Sequence, residues 1–215
     1  MKYAAALFDL DGTLVNSLED IEFSINETRS QFGLTPLSHE IIAPYIGFGL
    51  AFLLESTFSD STLSLGDILS RYRVVYRKNM LRNTRPYDGV ITLLETLHGM
   101  GISLFVVTNK TEAPSRIILE ELGLLHFFKA IAGGDTYAKR KPDPLQISSL
   151  LSNAGIELST AIMAGDHEND ILAAKAAGCS SVLCSWGFGT HGSLEPDYRA
   201  AHPLDIISII KSGVN

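Results

Sequence analysis

The chain has 215 residues, a formal net charge of −7 at pH 7 and a hydrophobic content of 46%. This length can bury a substantial core, either in one large domain or in a core with a smaller second domain. The acidic balance argues against general nucleic-acid binding, and no apolar stretch is long enough to predict a membrane-spanning helix. The first predicted strand begins too close to Met1 for a signal peptide, and Cys179 and Cys184 lack a metal-ligand spacing, so we expect a cytoplasmic protein.

The first informative stretch is a short apolar run, Ala4–Phe8, followed by Asp9 and Asp11. The run predicts a strand that is buried on both faces, and alternation places the two carboxylates on the same side of the chain. One aspartate can attack phosphorus and form an aspartyl-phosphate, while a second carboxyl group acts as general acid and then as general base. Taken alone, such a pair is more often a strand edge with two capping or solvated aspartates, so the rest of the chain decides.

Residues 16–84 have helical patterns and no convincing strand. Ser17–Asp20 has the sequence of an N-terminal capping box, and Gly47–Gly49 indicates a turn between helices. Residues 71–85 contain six basic residues and no acidic one. We expect a solvated helix face there, and the alternative is a face turned toward an anionic substrate.

After Pro86, apolar runs that predict strands alternate with amphipathic helices. The runs are 102–107, 129–132, 161–164 and 181–184. This alternation predicts parallel strands, right-handed crossovers and helices on both faces of the sheet. We therefore expect an α/β fold with a Rossmann-like parallel sheet, formed by residues 1–15 and 85–215, and an all-helical domain at 16–84 inserted after the first strand.

Polar residues follow several of these strands, and ligands of open parallel sheets bind beyond the carboxyl ends of the strands. The residues are Asp9, Asp11, Thr108, Asn109, Lys141, Asp166 and Asp170. Four carboxylates at one edge would repel one another unless a cation lies among them, and Mg²⁺ prefers such oxygen ligands. Lys141 adds positive charge, and Thr108 and Asn109 can bind phosphate oxygens.

In order and spacing, these residues resemble the four motifs of the haloacid dehalogenase superfamily. The motifs are Asp9–Leu14, Thr108–Asn109, Lys141–Pro142, and Gly165–Asp166 with Asp170. Within the superfamily, the chain is most similar to phosphatases with an inserted helical cap, and particularly to phosphoglycolate phosphatases, which Gly47–Gly49, Lys110 and Trp186–Gly189 also resemble. His167 departs from the serine that is common after the fourth Gly-Asp. We expect a solvated loop histidine, and the alternative is a place in the outer shell of the metal.

The resemblance implies a role for each of these residues. Asp9 would be the nucleophile and Asp11 the general acid and base. Mg²⁺ would be held by Asp9, the backbone carbonyl of Asp11, Asp166 and Asp170. The phosphoryl group would be bound by Thr108, Asn109 and Lys141, while Gly12 and Thr13 would shape the loop and Gly47 and Phe48 would belong to a substrate loop.

The expected function is Mg²⁺-dependent hydrolysis of a small phosphomonoester, with phosphoglycolate as the first candidate. The alternatives are a sugar phosphomutase, a pyrophosphatase or nucleotidase of the same superfamily, and a phosphate-binding regulator without turnover. Hydrolysis of a carbon–halogen bond is disfavoured because Asp11 would have no leaving oxygen to protonate. The expected partner is a small phosphorylated metabolite, without nucleic acid or membrane, and the expected assembly is a monomer or a homodimer.

Overall fold

The computed structural model describes residues 2–190 and 192–212. Its strands are β1 (Ala5–Phe8), β2 (Val15–Asn16), β3 (Arg85–Pro86), β4 (Ser103–Val107), β5 (Phe128–Ala132), β6 (Ala161–Gly165), β7 (Ser180–Cys184) and β8 (Tyr198–Ala200). Its helices are α1 (Leu18–Gln31), α2 (His39–Ile42), α3 (Leu50–Thr57), α4 (Leu65–Asn79), α5 (Val90–Gly99), α6 (Glu112–Glu121), α7 (Leu145–Asn153), α8 (Glu168–Ala177) and α9 (Asp205–Ser212). None of the helices in these two ranges is both long and apolar enough to cross a membrane.

Six of the strands form one parallel sheet in the order β5-β4-β1-β6-β7-β8. The first strand, β1, lies inside the sheet, where Ala5 pairs with both Ser103 and Ala161. The predicted α/β fold is therefore confirmed. The sheet has one strand that the sequence did not predict, β8, because three residues at a sheet edge, with Arg199 exposed, give no readable hydrophobic pattern.

Helices cover both faces of the sheet, as the uninterrupted apolar run of β1 requires. Ala5 and Leu7 pack with residues of α7 and α8, whereas Ala6 and Phe8 belong to the core on the other face with residues of α5, α6 and α9. Every residue of β1 is buried. Since neither face of this strand is open, only its carboxyl end can offer side chains to a ligand.

Helices α1 to α4 form a helical segment between β2 and β3. These two short strands pair antiparallel, with Val15 opposite Pro86 and Asn16 opposite Arg85. The chain therefore enters the helical segment through β2 and leaves it through β3, in one two-stranded ribbon. The expected boundaries at 15/16 and 84/85 fall in or beside this ribbon. The division of the chain into two domains stays a prediction.

The capping box expected at Ser17–Asp20 does not form. Ser17 precedes α1, but its side chain makes no capping bond; its hydroxyl donates to Asp11 Oδ1 at 2.5 Å. The Asp20 carboxylate accepts from the backbone N–H of Asn83 at 3.0 Å and from the backbone N–H and hydroxyl of Thr84 at 2.9 and 2.7 Å. Both side chains thus have tertiary partners that a local pattern cannot show, and Asp20 ties the start of the helical segment to its end.

Candidate active site

Three of the predicted carboxylates meet at the carboxyl edge of the sheet. Asp9 follows β1, Asp166 follows β6, and Asp170 lies in the first turn of α8. Each offers one oxygen, and these oxygens all lie within 4.8 Å of one another. All three residues are buried, with exposed fractions of 5%, 3% and 0%. Parallel strands therefore bring together residues that lie far apart in the sequence.

Backbone amides hold these carboxylates in place. The Leu10 N–H donates to Asp9 Oδ1 at 2.7 Å, and the N–H groups of Phe188 and Gly189 donate to Asp166 Oδ2 at 3.1 and 2.8 Å. The hydroxyl of Thr13 donates to Asp166 Oδ1 at 3.3 Å, which gives the predicted loop residue a definite contact. These contacts position the carboxylates of Asp9 and Asp166.

Lys141 reaches into this group of carboxylates and is itself buried. Its Nζ lies 3.0 Å from Asp9 Oδ1 and 2.5 Å from Asp170 Oδ1, and it donates to the Val107 carbonyl at 2.7 Å. We call Asp9, Asp166, Asp170 and Lys141 the strand-end cluster. Lys141, which was predicted to lie near the carboxylates, is therefore in direct contact with two of them.

The strand-end cluster has more negative than positive charge. Burial raises the pKa of Asp9 to about 6, against the opposing effect of Lys141. Burial, together with repulsion from Asp9 and Asp170, raises the pKa of Asp166 well above its usual value. Burial alone would lower the pKa of Lys141, but Asp170 and Asp9 outweigh that effect and raise it. One ammonium group does not compensate three carboxylates, so the cluster favours a second cation.

The donor set fits a magnesium ion. The ligands on offer are carboxylate oxygens on well-positioned side chains, which is the chemistry that Mg²⁺ prefers. Gly12, which has a φ of +81°, lies so close that an added Cβ would overlap the Asp166 carboxylate. A glycine is required there because the loop after β1 must pass directly over this carboxylate.

Asp11 has a different environment from the other predicted carboxylates. Its Oδ2 lies 2.8 Å from Lys110 Nζ, and its Oδ1 accepts from Lys110 at 3.1 Å and from Ser17 at 2.5 Å. The structure thus brings three of the four expected carboxylates together and gives the fourth its own cation. Sequence reasoning did not assign a role to Lys110, although a basic residue directly after Thr108 and Asn109 was the available signal.

Thr108 and Asn109 follow β4, as predicted, and both are buried. The Asn109 side-chain amide donates to the carbonyls of Gly47 and Lys141 at 2.8 and 2.9 Å. Its Oδ1 is buried without a hydrogen-bond partner among the residues that the structure describes. Asn109 therefore joins the sheet edge to the Gly47 loop of the helical segment.

Phe48 follows Gly47 in this loop. A cavity opens above Asp9, described below, and Phe48 is not among the residues that line it. Its ring packs edge-on against His167, with centroids 4.5 Å apart, whereas Gly47 does line that cavity. The interpretation of His167 as a solvated loop histidine is wrong, since it is only 3% exposed. Its ring accepts from the Asn169 N–H at 3.2 Å and caps α8, and burial lowers its pKa.

A cavity of about 470 Å³ opens above Asp9 and Asp11, a size typical of small-molecule sites. The sheet edge forms its floor, and residues of the helical segment form its opposite wall. For the basic run at 71–85, the two explanations were a solvated helix face and a face turned toward an anionic substrate, and each applies to some of its residues. Arg73 and Arg77 line the cavity, whereas the other four basic residues are exposed elsewhere.

With this geometry, comparison with known proteins identifies the class. Residues 6–184 match the family of haloacid dehalogenase-like hydrolases, and the chain belongs to that family. A phosphoglycolate phosphatase from Aquifex aeolicus is 35% identical over 212 residues, which are 97% of each chain. One from Agrobacterium fabrum is 39% identical over 199 residues, or 89% of this chain and 85% of that one.

A solved structure shows the same similarity in three dimensions. The crystal structure of a predicted phosphoglycolate phosphatase from Haemophilus somnus 129pt superposes with a TM-score of 0.92 at 30% identity, covering 97% of this chain and 98% of that one. Together, the family and these relatives show that the chain is an enzyme of the phosphatase class.

Proposed function

We propose that this enzyme hydrolyses a small phosphomonoester with a bound Mg²⁺, through an aspartyl-phosphate on Asp9. One observation carries the proposal: Asp9 lies in a buried cluster with Lys141 and two further carboxylates, at the floor of a cavity that also contains Asp11. Asp9 Oδ1 already contacts Lys141 and the Leu10 N–H, so Oδ2 is the oxygen we assign as nucleophile. Its attack forms the new bond to phosphorus while the bond to the leaving oxygen breaks.

We assign Asp11 as the group that moves the proton. It protonates the leaving alcohol in the first step and takes a proton from the attacking water in the second, which releases phosphate and regenerates Asp9. Lys110 and Ser17 orient its carboxylate between the two steps. The side chain is only partly exposed, so it reaches the cavity without being fully solvated.

The remaining residues bind and position the phosphoryl group. Lys141, Thr108 and Asn109 surround the place where it would sit, and most of the rate of such transfers comes from positioning and charge neutralisation. A magnesium ion held by Asp9, Asp166, Asp170 and the backbone carbonyl of Asp11 would neutralise charge on the phosphoryl oxygens. Gly12 and Thr13 keep the loop close to Asp166.

The helical segment is proposed to act as a cap that excludes bulk water and selects the substrate. Its Gly47 loop already contacts Asn109 at the sheet edge. The first candidate substrate is phosphoglycolate, because the curated relatives are named for its hydrolysis. A cytoplasmic location and a monomeric or homodimeric assembly belong to the same proposal.

A phosphate-release screen over a panel of phosphorylated metabolites tests this proposal. We expect Mg²⁺-dependent release from at least one small phosphomonoester, and loss of that activity in EDTA. Asp9→Asn should lower kcat/KM by at least about 10⁴-fold, as for removal of other covalent nucleophiles. Asp88→Asn, which changes an exposed aspartate outside the cavity, is the matched control.

Three outcomes would contradict the proposal. Full activity of the Asp9→Asn enzyme would remove Asp9 as nucleophile. An isomeric phosphate formed with little free phosphate would identify a mutase, and the absence of turnover over the whole panel would leave a phosphate-binding regulator.

A further inference from the structure

Three cationic side chains line the same cavity as Asp9 and Asp11. They are Lys110, from the loop after β4, and Arg73 and Arg77, from α4. The whole chain has a net charge of −7, and a field of that sign repels anions at long range. The three cations therefore attract anions into this cavity, whereas the net charge of the whole molecule repels them.

Lys110 is held between Asp11, in the loop after β1, and Tyr76, in α4 of the helical segment. Its Nζ contacts both oxygens of Asp11 and lies 4.7 Å from the centroid of the Tyr76 ring, with its side chain 10% exposed. A cation over an aromatic face is attracted by the negative charge of that face. Tyr76 and Asp11 thus hold the ammonium group in the cavity that Asp9 also lines.

Arg73 and Arg77 lie on the same face of α4, one turn apart, on either side of Tyr76. Neither guanidinium has a carboxylate within 4 Å in the part of the chain that the structure describes. Besides Asp9 and Asp11, the one acidic residue among those that line the cavity is Asp135, and its carboxylate accepts from the Glu112 N–H at 2.7 Å. The two arginines are therefore available to an anionic ligand.

Tyr76 supplies a second, independent indication of a ligand. Its side chain lines the cavity, and its hydroxyl is buried without a hydrogen-bond partner among residues 2–190 and 192–212. Burial raises the pKa of this hydroxyl, so it keeps its proton and can donate. A buried donor without a partner is rare in folded proteins, and an anionic ligand would accept this hydrogen bond.

We propose that Lys110, Tyr76, Arg73 and Arg77 form a second anion site, which binds a carboxylate on the leaving group of the phosphomonoester. The inference rests on the proposed function, because it places the phosphoryl group at Asp9. Arginine pairs with carboxylates through two parallel hydrogen bonds, which suits this group. Phosphoglycolate, for which the curated relatives are named, is a phosphate ester of a carboxylic acid.

Two phosphonates that cannot be hydrolysed test the site without any turnover. In 3-phosphonopropionate a methylene replaces the ester oxygen of phosphoglycolate, and propylphosphonate has a methyl group in place of its carboxylate. We expect the wild-type enzyme with Mg²⁺ to bind the first at least about 10-fold more tightly by calorimetry, since charge-assisted contacts are strong but partly exposed pairs contribute less.

Substitutions should then remove the preference without removing phosphonate binding. The double substitution Arg73→Gln with Arg77→Gln is expected to reduce the ratio of the two affinities to within about 3-fold, and Tyr76→Phe to reduce it in part. Arg71→Gln is the matched control, because Arg71 belongs to the same helix and basic run but does not line the cavity. It should leave the ratio unchanged.

Equal affinities of the wild-type enzyme for the two phosphonates would overturn the inference. An unchanged ratio of the two affinities in both the double arginine variant and Lys110→Met would also overturn it. If the double variant does not fold, the same ratio is measured in the two single arginine variants, and an unchanged ratio in both has the same meaning. Failure of the proposed function gives a different result. Strong preference for 3-phosphonopropionate without hydrolysis of any phosphomonoester would support the second anion site and contradict the phosphatase mechanism.

Discussion

The floor and the wall of the cavity differ in burial and in charge. On the floor, the strand-end cluster holds three carboxylates and one ammonium group, none more than 5% exposed. On the wall, Arg73 and Arg77 are exposed residues of α4. Lys110, from the loop after β4, lies where the sheet edge meets this wall, between Asp11 and Tyr76. The floor is negative and preorganised, whereas the wall is positive and partly solvated.

Under the proposed function, this difference assigns catalysis to the floor and substrate selection to the wall. Charges that are fixed in a dry site stabilise a transition state strongly, whereas exposed arginines contribute less per contact. Substitutions on the floor should therefore reduce turnover of every substrate. Substitutions on the wall should change which substrate is preferred.

Asp11→Asn should give a loss of activity that depends on the leaving group. Without a proton donor, kcat/KM for an alkyl phosphate should fall by about 10²–10⁴-fold, the usual range for general acid catalysis. The loss should be much smaller for p-nitrophenyl phosphate, because nitrophenolate leaves without a proton. Steady-state kinetics on both esters measures the difference, and Ser17→Ala, which removes one hydrogen bond to Asp11, is the mild control. Equal losses on both esters would show that Asp11 does not act as the acid.

Lys141→Met should destabilise the fold as well as stop turnover. The substitution leaves Asp9 and Asp170 without their buried cation, and breaking a buried ion pair costs about 3–5 kcal/mol. Urea unfolding in EDTA measures this loss. The control is Lys139→Met, which removes an exposed pair with Asp143 and should cost less than about 1 kcal/mol. A similar small loss in both variants would mean that the cluster is not held together by charge.

The floor of this site was largely predictable from the sequence, and the reason is geometric. Asp9 and Asp166 each follow an apolar run, and parallel strands must end at one edge, so residues that are distant in the chain are expected to meet. The resemblance to a known family added the role that we propose for each residue. The short edge strand β8 was missed because three residues do not establish a pattern.

The contacts of the wall were not predictable, because the sequence does not show how α4 is oriented relative to the sheet. The basic run gives no indication of which of its side chains face the sheet, and nothing local links Tyr76 to Lys110. Exposure of a single residue is equally uncertain, as the buried His167 shows. Ser17 and Asp20 demonstrate the same limit, because both side chains have partners beyond α1.

The stability of the metal-free enzyme should depend on pH through Asp9. A carboxyl whose pKa is higher in the folded protein stabilises the fold at low pH, and this stabilisation is lost as the pH rises through the folded pKa. The pKa of Asp9 rises from 3.8 to about 6. The free energy of unfolding should therefore fall by about 2 kcal/mol between pH 4 and pH 7 through this group.

Urea unfolding of the EDTA-treated enzyme across this pH range measures the effect. The trend should become less steep in Asp9→Asn, where Asp166, whose pKa is also raised, still contributes a loss of the same sign. Mg²⁺ should restore stability at pH 7 by occupying the cluster. A difference in stability between wild type and Asp9→Asn that does not change with pH would contradict the prediction.

The smallest effect is expected where the floor and the wall touch. Phe48 packs on the ring of His167, and the adjacent Gly47 carbonyl accepts from the Asn109 amide. His167→Ser keeps a side chain that can cap α8 but removes the aromatic contact, so KM should rise about 2–10-fold with little change in kcat. Phe48→Ala also removes the contact with Phe52, so its effect should be at least as large. The double variant should be no worse than Phe48→Ala alone, because that substitution already removes the contact between the two rings. Additive losses would show that the two rings act separately, and that the side-chain amides of Asn109 and Asn169, which both donate to the Gly47 carbonyl, hold the loop without the aromatic contact.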